Sequence, residues 1–146
     1  MNKPTHRRLL SVTFLALMVF IGAILNLLRL GLALRNWAYL SELLSSVEIH
    51  SIFPAYLAVG GLVWGLVGLL LAWGIWKGES WAPRFLFAVL LVYSAYYWID
   101  RLFLSGYPQR ISNWPFAASV NLLIILWSVW VMTRQRTREF FGEAHE

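Results

Sequence analysis

Apolar residues do not alternate with polar ones along most of this chain; they run on. Four stretches, residues 9–28, 55–76, 85–104 and 114–133, carry almost no charge in their interiors. Each reaches the length of about 20 residues that a helix needs to cross a hydrocarbon core. Backbone groups in lipid must be satisfied within the protein, and uninterrupted runs of this length read as helices rather than barrel strands. The first run can continue to Leu34. Pro54 falls in the first turn of the second helix, where a missing N–H is harmless. Pro83, Pro108 and Pro115 stand at or near the ends of runs, and Gly78 and Gly106 follow the second and third runs as C-terminal stops.

Residues 37–50 are too short and too polar to span. Trp37, Leu40, Leu44 and Val47 recur at steps of three and four, with Ser41, Glu42, Ser45 and Glu48 between them. That spacing predicts a short amphipathic helix along the outer membrane surface; an extension of the first helix into water is the other reading. The predicted fold class is therefore an all-α membrane protein, a four-transmembrane-helix bundle with an amphipathic helix at the outer interface. A single membrane domain over residues 1–146 leaves no room for a separate soluble domain.

Composition agrees, with 60% hydrophobic and 13% charged residues where a soluble domain carries roughly 25% charged. Mean hydropathy is +0.63. The net charge of +5 does not point to nucleic acid, because the basic residues stand at the edges of apolar runs. Lys3, Arg7, Arg8, Lys77, Arg84, Arg134, Arg136 and Arg138 fall on one side, and Arg29, Arg35, Arg101 and Arg110 on the other. This excess puts the first side in the cytoplasm, so both termini are expected to be cytoplasmic; the expected location is a bacterial-type inner (plasma) membrane. Trp73, Trp76 and Trp81 flank the inner loop, and Tyr96, Tyr97, Trp98 and Trp114 an outer one, as interfacial aromatics do. The first run has the basic start of a signal peptide but a longer apolar region, and nothing globular follows it. It is expected to be retained.

The second run carries a stripe of small residues: Ala58, Gly61, Gly65, Gly68 and Ala72, at steps of three and four. Small side chains let two backbones approach, the main source of helix association in lipid. The stripe predicts a packing face, within the chain in preference to a homodimer, with a weaker counterpart in Gly22 and Ala23 near Asn26. The inner connection combines Gly74, Trp76, Lys77, Gly78, Trp81, Ala82 and Arg84. It resembles an inner-loop turn of small uncharacterised four-helix bacterial inner-membrane proteins. The resemblance covers about a dozen residues and implies no activity; Trp76 and Trp81 would anchor at headgroups while Lys77 and Arg84 face lipid phosphates.

The chain has no cysteine, and His6, His50 and His145 are isolated, so no metal centre and no cofactor are expected. No paired carboxylate, no nucleophile–His–acid set and no Gly-rich phosphate loop is present, and no catalytic residue is assigned. Polar groups at membrane depth are functional candidates by default. Asn26 and Arg29 on the first helix, Asp100 and Arg101 on the third and Asn121 on the fourth all fall in the outer third, counting about 1.5 Å per residue. Tyr56, Tyr93, Tyr96 and Tyr97 lie at similar depth. An ion pair of Asp100 with Arg29, completed by Asn26 and Asn121, is the expected core of this cluster; Arg101 is the alternative partner.

Such a cluster is read first as structural glue fixing helix register. The candidate ligand-binding residues are Asn26, Arg29, Asp100, Asn121, Tyr96 and Tyr97, for a small molecule or lipid headgroup; proton or ion passage is the third reading. The function expected is that of a non-catalytic integral membrane protein, an accessory subunit or helix-packing scaffold. A small-ligand or lipid binding or transport module stands as the alternative, and an enzyme acting on lipid or quinone as the weakest. Expected partners are membrane lipids and other membrane subunits or a homo-oligomer, with no nucleic acid.

Overall fold

A computed structural model of the chain describes residues 10–39, 53–104 and 113–142. Among the described residues the α-helices run in the order α1 Leu10–Arg35, α2 Phe53–Lys77, α3 Ala82–Ile99, α4 Trp114–Thr133 and α5 Gln135–Phe140. A π-helical turn, Asp100–Leu104, continues α3. No strand occurs among the described residues. Among the described residues four helices are long and apolar enough to cross a membrane: Leu10–Arg35, Pro54–Lys77, Ala82–Leu102 and Trp114–Thr133.

The first helix runs a further two turns past residue 28, through Arg29 and Gly31 to Arg35. The third begins three residues before Phe85, because Pro83 fits the first turn of a helix as well as it ends a preceding segment. The fourth starts on Trp114 with Pro115 in its first turn. Residues 37–39 are helical beyond a turn at Asn36, whose N–H bonds to the Leu32 carbonyl at 3.0 Å. The rest of the amphipathic segment lies outside the described residues, as do Gly106, Pro108 and the three histidines.

The chain forms two compact units. In the first, Ala16–Trp73, α1 and α2 meet along the small-residue stripe. A Cβ added to Gly61 would stand 2.7 Å from the Asn26 carbonyl oxygen and 2.8 Å from the Leu30 nitrogen. At Gly65 it would overlap the Leu27 side chain, with Cγ at 2.7 Å, and at Gly68 it would meet the Ala23 Cβ at 2.8 Å. Ala58 and Ala72 are buried at the two ends of the stripe. The partner face is thus Ala23, Asn26, Leu27 and Leu30. Gly22 does not belong to it: nothing lies within 4 Å of a Cβ there, because adjacent helical residues point about 100° apart.

The second unit comprises Gly74–Glu146 with Met1–Leu15. Its turn between α2 and α3 closes by a Schellman motif. Gly78 has φ +74°, its N–H bonds to the Ile75 carbonyl at 3.2 Å, and the Glu79 N–H to the Gly74 carbonyl at 3.0 Å. Gly74 leaves room for an indole, since a Cβ would come 2.6 Å from Trp81 Cζ2. Trp81 in turn meets Phe85 edge to face at 5.6 Å. The headgroup anchor expected at Trp81 is therefore half-buried and packed on Gly74. Phe140 of α5 lies against Gly78, with Cε1 2.8 Å from a Cβ built there.

Burial in this unit is concentrated at that end. Ile75, Ala82, Leu86, Val131, Thr137 and Phe141 are fully enclosed, and Phe14 meets Trp127 edge to face at 6.1 Å. No described residue of α3 beyond Leu86, and none of α4 before Ser128, is buried. Leu91, Val92, Phe116, Leu122 and Leu123 are all exposed. Apolar surface on this scale is untenable in water and normal against lipid or another helix.

Candidate functional site

The open half of α3 carries its polar residues at helical spacing. Tyr93, Tyr97 and Arg101 follow at steps of four, with Tyr96 and Asp100 one step round. Where α3 passes into the π-helical turn, the Asp100 N–H is shared between the Tyr96 and Tyr97 carbonyls. A π-turn inserts a residue into the helical repeat and re-aims the side chains that follow, which is why such turns recur at functional sites. Here the polar residues it carries are Asp100 and Arg101.

Side-chain contacts tie residues of the cluster together. Arg101 Nη1 donates to the Tyr97 hydroxyl at 3.2 Å, one turn back on the same helix. Ser94 Oγ donates to Asn121 Oδ1 at 3.2 Å and links α3 to α4. The rings of Tyr93 and Tyr96 lie 6.2 Å apart, and those of Tyr97 and Trp98 meet edge to face at 5.7 Å. Asp100, Arg101, Asn121, Tyr96 and Tyr97 are all half-buried. A carboxylate, a guanidinium, an amide and phenolic hydroxyls beside aromatic faces can hold a polar headgroup or small molecule. They can also lock register.

Asn26 and Arg29 belong to the other unit. Asn26 Nδ2 donates to the Gly22 carbonyl at 2.9 Å, within its own helix, and its backbone carbonyl is the atom that Gly61 approaches. Arg29 is half-buried on α1. Ser94 was missed by sequence reasoning, since a lone serine in a helix usually bonds back to its own carbonyl. Ser119 and Ser128 do so, to Pro115 and Ile124 at 2.8 Å each. The four-residue step from Tyr97 to Arg101 was the signal available for their contact.

The Ser94–Asn121 bond is the direct test of whether α3 and α4 are held here. In a double-mutant cycle, Ser94→Ala and Asn121→Ala should couple by about 0.6 kcal/mol, typical of hydrogen bonds between membrane helices. Unfolding in mixed micelles measures it. Additive effects would mean that the bond contributes nothing.

Among the described residues no group of three or more acids or histidines could hold a metal ion. No family model, curated protein or solved structure matches this chain.

Proposed function

We propose that this protein is a non-catalytic four-span bundle of a bacterial-type inner membrane, with both termini cytoplasmic, acting as an accessory subunit or helix-packing scaffold. One observation carries this proposal most: α3 beyond Leu86 and α4 before Ser128 bury no described residue, while their base and the α1–α2 stripe are closely packed. A pair of apolar helices anchored at one end and open along the rest suits the reception of other transmembrane helices. Purification in mild detergent from native expression levels is expected to bring one or more membrane subunits with the chain at constant stoichiometry. Isolation of the chain by itself, at full yield and with no other subunit, would overturn the scaffold.

The polar face of α3 supports a second reading, a binding module for a small polar molecule or lipid headgroup. Tyr97, Arg101, Asp100, Ser94 and Asn121 support it by their proximity to one another. It predicts a ligand mass that co-purifies with the wild type and is lost in Arg101→Gln.

A further inference from the structure

We propose that the end of the Gly74–Glu146 unit formed by the α2–α3 turn and α5 is a docking surface for anionic phospholipid headgroups. The proposal rests on the membrane reading above and adds a partner class to it. Lys77 ends α2, Arg84 stands in the first turn of α3, and Arg134, Arg136 and Arg138 lie on or beside α5. All five are exposed; the acids of the same elements are Glu79 and Glu139.

The arginines of α5 are not on a loose tail. Thr137 and Phe141 are 0% and 2% exposed, and the Phe140 ring rests on Gly78. Residues on a helix turn by about 100° each, so Arg136 and Arg138 stand one to each side of the docked Thr137. A short helix with its inner face seated and cations on both flanks has the form of an interfacial helix. Arg134 adds a built element, with its guanidinium carbon 3.7 Å from the centre of the Trp130 ring. Stacking occupies a guanidinium's face and leaves its edge N–H donors for phosphate oxygens.

The identity of the anion follows from what surrounds the charge. Trp76 and Trp130 are 46% and 45% exposed; Trp76 adjoins Lys77 in sequence, and the Trp130 ring lies under Arg134. A fitting ligand presents phosphate on one side and hydrocarbon on the other. Nucleic acid or an acidic protein surface would leave those indoles in water. An anionic phospholipid satisfies both, and basic clusters at the ends of membrane helices gain about fivefold in binding per cation from such lipids.

The test uses the full chain reconstituted in phosphatidylcholine vesicles, with brominated phosphatidylglycerol or brominated phosphatidylcholine as quencher of tryptophan fluorescence. The wild type should concentrate phosphatidylglycerol over phosphatidylcholine, and high salt should erase the preference. Arg136→Gln/Arg138→Gln should lower the preference by about 25-fold, two cations at about fivefold each, with helicity unchanged. Equal quenching by the two lipids, or a preference indifferent to salt, would overturn the proposal even if the variant fails to fold. Displacement of phosphatidylglycerol by inorganic phosphate at equal concentration would overturn it in favour of a soluble anion. A chain washed from membranes by alkaline carbonate would instead refute the membrane reading itself.

Discussion

Gly61→Ala is expected to remove most of the folded, monodisperse protein recovered in detergent, although it adds one methyl group. The atoms that this methyl would meet are backbone: the Asn26 carbonyl oxygen at 2.7 Å and the Leu30 nitrogen at 2.8 Å. Neither can move without shifting α1 as a body, so the cost should reach the upper end of the about 1–3 kcal/mol typical of overpacking. Gly65→Ala should be milder, because the atoms in its way are the end of the Leu27 side chain, which has other rotamers. Gly22→Ala and Gly31→Ala meet nothing within 4 Å and should be neutral or slightly stabilising, as alanine is the better helix former. Yield and thermal midpoint across these four variants check the order. Equal tolerance at Gly61 and Gly22 would mean that α1 and α2 do not approach along the stripe.

Gly78→Ala should release α5. Alanine at φ +74° costs roughly 1–2 kcal/mol in the left-handed region, and the new methyl would press on Phe140, now 2.8 Å away at Cε1. Trypsin cleavage after Arg136 and Arg138 reads the undocked population directly, and should rise about 5- to 30-fold where opening is fast relative to cleavage. Pairing the change with Phe140→Ala should give less than the sum of the two effects, since the ring contact can be lost only once. Unchanged proteolysis in Gly78→Ala would show that α5 is not held by this turn.

The four long helices were legible because their signal is length and apolarity, which needs no knowledge of neighbours. The packing face of α2 was legible for a related reason: five small residues at steps of three and four can share only one stripe. What it packs against was legible only in part: of the counterpart expected in Gly22 and Ala23 near Asn26, Ala23 and Asn26 face the stripe and Gly22 does not. Gly22 and Ala23 are equally small, and only the rotation of α1 decides that Ala23 faces Gly68 while Gly22 faces away. Helix α5 escaped notice because six residues make a weak periodic signal; the three- and four-residue steps from Thr137 to Phe140 and Phe141 are visible once its seat on Gly78 is known. Trp81 was read as an interfacial anchor from its neighbours in sequence, whereas the absence of a side chain at Gly74 gives it a place to pack. For the polar candidates the sequence offered residue types and a count along each run, and no contacts. Which atoms bond, as in Ser94 with Asn121, depends on helix rotation and on the π-turn that follows Ile99.

The central claim is that the four apolar helices cross a membrane and place the α2–α3 turn and the α3–α4 connection on opposite sides. The native chain contains no cysteine, so single cysteines report position cleanly. With a membrane-impermeant maleimide on intact cells, Ser112→Cys should label at once and Ser80→Cys only after permeabilisation. Labelling of both from the same side would contradict the four-span account, and the reverse pattern would contradict its orientation.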